Sequence, residues 1–75
     1  GRLGAQGLYN ISTPTNNPKP GDLVFFKGTY DTPGVSHVGI YVGDGWMLDC
    51  GDPIHYSNLN TSYWQSHFYA YGKLY

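Results

Sequence analysis

The 75-residue chain has a single cysteine, Cys50, which excludes an internal disulfide framework and any multi-cysteine zinc site. Charge is equally scarce. Four Lys and Arg against five Asp and Glu give a formal net charge of −1, without the basic footprint that a polyanion requires, so no nucleic-acid partner is expected. No run of 18 apolar residues occurs, so no membrane insertion is expected of this segment. Gly1-Arg2-Leu3-Gly4 has the pattern of neither a signal peptide nor an anchor. Internal repeats and shifts of composition that would mark a domain boundary are also missing. What the chain does have is aromatic area: eight Tyr, three Phe and two Trp. A domain of about 60 residues buries only about 60% of its extended-chain surface, so the core is expected to be thin, and large rings serve both core packing and binding clefts.

Leu3, Ala5, Gln6, Leu8 and Tyr9 form a short, weakly helical pattern interrupted by Gly4 and Gly7. From Asn10 to Gly21, three prolines among Asn, Thr and Ser predict a surface loop without a regular element, ending in the turn Pro20-Gly21-Asp22. Leu23-Val24-Phe25-Phe26-Lys27 is rich in strand formers and predicts the first strand. Gly28 to Gly34 is turn-like. His37 to Val42 alternates strictly, with Val38, Ile40 and Val42 on one face and His37, Gly39 and Tyr41 on the other. Gly43-Asp44-Gly45 is a hairpin signal, returning as a third strand from Trp46 to Gly51. Ile54-His55-Tyr56 predicts a short strand and Ser57 to Thr61 a polar loop. Thr61 or Ser62 caps a helical turn through His67, and Phe68 to Tyr75 closes the sheet. The expected class is α+β: a small antiparallel sheet of about five strands with short helical segments.

Packing selects the hairpin register. With a three-residue loop at 43–45, Val42 pairs with Trp46, Ile40 with Leu48 and Val38 with Cys50, all apolar. A two-residue loop would put Met47, Asp49 and Gly51 on that face and bury an unpaired carboxylate, which costs several kcal/mol, roughly, or forces protonation. Since a one-residue slip reverses every side chain, the first register is expected. It sets Asp49 opposite Gly39, diagonal to His37 on the same face, within about 7–8 Å between backbones. Cys50 then points away from His37 and reads as a small buried hydrophobe.

The run Lys19-Pro20-Gly21-Asp22-Leu23-Val24-Phe25-Phe26 and the later Ser36-His37-Val38-Gly39-Ile40-Tyr41-Val42-Gly43 resemble the NlpC-type cell-wall cysteine peptidases. Cys50-Gly51-Asp52-Pro53-Ile54 and the stretch from Tyr63-Trp64 to Tyr71-Gly72 look like the branch found in wall hydrolases of conjugative elements. Ala5-Gln6-Gly7 to Asn10 is similar to the segment that follows that family's first helices. The resemblance covers residues 1–75, but only the second half of the family domain. It implies a papain-like β subdomain, half-barrel in shape, from a secreted or cell-wall bacterial hydrolase acting on peptidoglycan stem peptides. It also implies a cysteine nucleophile on helices upstream of Gly1. On this reading His37 is the base and the isolated 75-residue chain is inactive, with Ser36 and Tyr41 as substrate-binding candidates. Twelve residues after His37, where the family usually has His, Asn or Gln, this chain has Asp49, the candidate for orienting the imidazole.

Other candidates carry less. His55 and His67 have no motif context and read as surface or hydrogen-bonded side chains. Zinc binding by His37, Asp49 and His55 suits the residue types but matches no closed ligand spacing, so neither a metal nor a cofactor is expected. Tyr41, Trp46, Trp64 and Tyr69 suit a cleft, although core packing accounts for most of them. Two other readings of the chain are a non-catalytic module that binds wall peptide or sugar through its aromatic side chains, and a truncated domain whose exposed sheet face self-associates.

Overall fold

The computed structural model describes residues 4–29, 33–49 and 53–74. Helix α1 (Ala5–Ile11) leads to strands β1 (Thr13–Thr15), β2 (Leu23–Lys27), β3 (Val35–Gly43), β4 (Trp46–Asp49) and β5 (His55–Asn58), then helix α2 (Ser62–His67) and strand β6 (Phe68–Lys73). The strands form one open antiparallel sheet in the order β1-β6-β2-β3-β4-β5. The α+β class holds, with six strands where about five are expected.

The sixth strand, β1, lies within the stretch expected to form no regular element. Thr13, Pro14 and Thr15 pair with Lys73, Gly72 and Tyr71 at the sheet margin, a place where a proline is tolerated because one side of the strand makes no ladder bonds. Two further boundaries differ. Strand β3 begins two residues earlier than the alternating run, at Val35, and β5 extends into the expected polar loop as far as Asn58.

Strand β2 is central, paired with β3 on one side and β6 on the other. Its four apolar residues are all buried and feed two cores, one on each face of the sheet. Leu23 and Phe25 join Val35 beneath α1, where Ala5, Leu8 and Tyr9 supply the helix's inward stripe and Val38 and Ile40 pack alongside. Gly7 inside a helix costs about 1 kcal/mol relative to Ala. Packing of this stripe offsets it, and Gln6 Oε1 accepts the Val35 backbone N–H at 2.8 Å. On the other face, Val24 and Phe26 join Met47 and Leu59, with Tyr41, Trp64 and Tyr71 packed against them.

The turn that opens β2 is held by Asp22, which is buried. Its carboxylate accepts the Lys19 backbone N–H at 2.9 Å and lies 3.9 Å from Lys73 Nζ. Its carbonyl accepts from the Tyr41 N–H at 2.8 Å. Gly21, at φ +99°, supplies the left-handed backbone the turn needs.

The hairpin keeps the expected register through its body: Gly39 lies opposite Asp49, Ile40 opposite Leu48 and Tyr41 opposite Met47. At its tip the expectation of a three-residue loop is corrected. Gly43, not Val42, pairs with Trp46, and Val42 is an extra, bulged residue. Asp44 and Gly45 have φ of +54° and +79°, as a tight two-residue turn between twisted strands demands. Val42 and Trp46 are consequently exposed instead of forming the end of an apolar stripe.

Candidate functional site

His37 lies in β3 beside Phe26 of β2, and Asp49 ends β4 opposite Gly39. The diagonal relation read from the sequence brings the side chains into direct contact, with His37 Nε2 and Asp49 Oδ1 2.6 Å apart. Asp49 is only 4% exposed. The register was selected to avoid burying an unpaired carboxylate on the Val38 face. The carboxylate is buried all the same, on the other face, but paired with an imidazole. That pairing is what makes burial affordable, since an unpartnered buried charge is strongly destabilising.

An ionised carboxylate only accepts hydrogen bonds, so His37 Nε2 carries the proton in this contact and the lone pair of the neutral ring belongs to Nδ1. Trp64 stacks on the imidazole with ring centroids 5.6 Å apart and planes 18° from parallel, and Phe26 lies 6.0 Å away. The ring is thus fixed in tautomer by Asp49 and in plane by two aromatic neighbours.

Trp64 is delivered by α2, a helix of six residues whose ends are tied down. Thr61 Oγ1 accepts the Trp64 N–H at 3.4 Å, Gln65 Nε2 donates to the Leu59 carbonyl at 2.9 Å, and the His67 ring donates through Nδ1 to the Lys27 carbonyl at 2.8 Å. His67 is therefore a hydrogen-bonded side chain, as expected. Trp64, which the sequence leaves open between cleft and core, packs against Phe26 at 4.7 Å, but its contact with His37 depends on a chain reversal that no periodicity announces.

His55 is the other residue that sequence alone left out of the site. Asp49 and His55 lie opposite each other in the β4–β5 pairing, and His55 Nε2 is 3.4 Å from Asp49 Oδ2. Its Nδ1 is 2.7 Å from the Pro53 carbonyl. A second hairpin register, counted across the turn at Pro53, would have been the signal. Among the described residues no three His, Cys, Asp or Glu side chains are placed to hold a metal ion.

The two remaining candidates lie apart from this contact. Ser36 is the bulged residue where the β2–β3 register shifts. Its Oγ is 2.7 Å from Thr29 Oγ1 and accepts the Thr29 N–H at 3.1 Å, pinning the β2–β3 loop. Tyr41 packs on the core of the His37 face, with its ring 6.0 Å from Tyr71, and its hydroxyl accepts from the Gly45 N–H at 3.4 Å. Cys50 and its expected pairing with Val38 lie outside the described residues. No helix among the described residues is long and apolar enough to cross a membrane.

With this geometry in place, comparison with known proteins is informative. Residues 4–73 match the model of the NlpC/P60 family. The chain is 49% identical over 55 residues to the bifunctional muramidase/DL-endopeptidase CwlT of Bacillus subtilis, covering 72% of this chain and 17% of that protein. It is 40% identical over 72 residues to the probable endopeptidase p60 of Listeria monocytogenes, covering 95% of this chain and 14% of that protein. A solved structure from Staphylococcus aureus, described as similar to a lipoprotein of the NLP/P60 family, superposes with a TM-score of 0.86. It is 34% identical, and the match covers 95% of this chain and 25% of the other. The chain therefore spans less than a fifth of the length of these two curated relatives.

Proposed function

The chain belongs to the NlpC/P60 family, and on that premise we propose that it is the histidine-bearing part of a cysteine-dependent hydrolase of peptidoglycan stem peptides. His37 is the general base through Nδ1, and Asp49 holds its ring. The nucleophilic thiol is assigned to a cysteine outside this 75-residue sequence, with Cys50 given no part in the chemistry. The observation that carries the reading is the buried 2.6 Å contact between His37 Nε2 and Asp49 Oδ1 beneath Trp64. A carboxylate in the orienting position departs from the His, Asn or Gln usual there, yet it accepts the Nε2–H as well.

The chemistry runs in two halves. Nδ1 takes the thiol proton as sulfur attacks the amide carbonyl, and the imidazolium returns that proton to the departing amine, leaving a thioester. Water, deprotonated by the same nitrogen, then releases the acid and the thiol. Asp49 stabilises the imidazolium between the steps. Tyr41, on the His37 face, and Ser36, which fixes the loop preceding His37, are assigned to the substrate side. A secreted or cell-wall location belongs to the same reading, supported by relatives named as endopeptidases and as a muramidase. The test is His37→Ala in the gene product that contains this sequence, with soluble muropeptides measured after incubation with purified peptidoglycan. Release should fall to background, and retained release would remove the central claim.

A non-catalytic wall-binding module is the second reading. It is favoured by exposed Trp46, Tyr56, Tyr63, Phe68 and Tyr69 and by an open cavity of about 230 Å³ lined by Pro14, Thr15, Asn16 and residues 68–71. Co-sedimentation of the 75-residue chain with peptidoglycan separates the two. Strong binding together with an active His37→Ala product would favour the module, and absence of binding would eliminate it.

A further inference from the structure

The contact with Asp49 settles which nitrogen of His37 carries the proton, but a contact at Nε2 is a weak restraint on how the ring is turned. Rotation about the Cβ–Cγ bond displaces Nδ1 further than Nε2, because Nδ1 lies farther from that axis. From the arrangement of rings around His37 we infer that Trp64 is a positioning residue for hydrolysis: its indole sets the plane of the imidazole, and with it the direction of the Nδ1 lone pair. The inference rests on the reading of His37 as base and adds a residue to it.

Three rings meet at this point, and their angles separate the roles. Phe26 is fully buried. Its ring is 6.0 Å from the imidazole at 39° and 4.7 Å from the indole at 50°, tilted against both. The indole and the imidazole are 18° from parallel with centroids 5.6 Å apart, an offset stack within the range that aromatic pairs prefer. Phe26 is thus the floor of the cluster, and Trp64 is the flat surface against which the imidazole lies. A turn of the imidazole tips one ring edge toward the indole and lifts the other away from it, which forfeits part of the contact.

The indole is itself held firmly enough to act as a reference. Trp64 lies within α2, where Thr61 Oγ1 caps its own backbone N–H and His67 ties the end of the helix to the Lys27 carbonyl. Tyr63 meets the indole edge-on, at 4.9 Å and 81°, and also contacts the His67 ring at 4.7 Å. Packing on Phe26 requires a large apolar side chain at position 64. It does not require a flat one parallel to His37, and that difference is open to experiment.

Two substitutions separate apolar volume from a flat face. In the gene product that contains this sequence, Trp64→Leu keeps an apolar side chain over Phe26 but removes the flat face, and Trp64→Phe restores one. Trp64→Leu should lower kcat for a soluble muropeptide by about five- to tenfold, less than a full misplacement of a catalytic group, with KM changed by less than about twofold. Trp64→Phe should recover most of the lost kcat. Both side chains are smaller than Trp and should lower the thermal midpoint, so rates are compared well below the midpoint of each variant, where both are folded. If Trp64→Leu does not fold, Trp64→Met, with a flexible side chain that fills irregular gaps, takes its place. Wild-type kcat in the aliphatic variant, Trp64→Phe as slow as that variant, or a loss carried by KM with kcat intact would overturn the inference while leaving His37 as the base. Activity retained by His37→Ala in the same assay would instead overturn the base reading, and this inference with it.

Discussion

At the scale of single residues, the site depends on what occupies the space around one carboxylate. Replacing Asp49 by Ala leaves His37 stacked on Trp64 but removes the acceptor that fixes its tautomer. The expected loss in kcat is about 100-fold, on the scale of a misplaced catalytic group and short of the loss from His37→Ala, measured as the rate of muropeptide release. Gly39 matters for a different reason. It is buried opposite Asp49, and a Cβ there would collide with the Met47 sulfur and come within 3.2 Å of the Leu48 carbonyl. Gly39→Ala should therefore destabilise the chain by about 1–3 kcal/mol, as overpacking does, detected as a lower urea midpoint with an unchanged slope.

At the scale of elements, α2 is too short to persist on its own, since isolated helices under about 12 residues are marginal in water. It holds because Thr61 caps it and Leu59 and Lys27 anchor it. Thr61→Ala should cost about 1 kcal/mol, and because the lost cap bond is to the Trp64 N–H, the indole fluorescence should shift toward the red along with the loss. This cap was legible from the residues, as were the turn at Gly21-Asp22, the β2 run, and the register that sets Asp49 near His37. Three features were not. Each depends on where an extra residue is accommodated, on a contact distant in sequence, or on a second turn register: the bulges at Ser36, Val42 and Tyr69, the pairing of β1 with β6, and the approach of His55 to Asp49 across the β4–β5 pairing. Alternation reports which side chains share a face, but a bulge resets the alternation without altering composition. Tyr69 illustrates this, leaving the face of Phe68 and Tyr71 to meet Tyr9 beside α1.

At the scale of the whole molecule, a sheet with a core on each face gives the chain some internal support, and among the described residues no buried side-chain polar atom lacks a hydrogen-bond partner. On the proposed reading the purified 75-residue chain is expected to release no muropeptides, because the nucleophilic thiol is assigned outside it and the covalent step depends on that thiol. Measured turnover would assign the chemistry to Cys50 instead. Alkaline stability gives a further check. Burial, and after it the neighbouring Tyr41 phenol, raise the pKa of Tyr71. A group that holds its proton more tightly when folded contributes stability that is complete below its unfolded value, about pH 10, and is lost as pH rises through the folded value. Thermal midpoints should therefore fall above about pH 10, and Tyr71→Phe, which has no proton to lose, should fall less steeply.

The bulge at Ser36 has one more effect. It lies inside β3, one residue before His37, and it absorbs one residue without disturbing the Phe26–His37 pairing beyond it. A one-residue deletion just ahead of His37 is expected to close this bulge and leave the strand in phase, because a shift of the strand would turn every later side chain to the opposite face. The contact between the imidazole and Asp49 should accordingly survive that deletion.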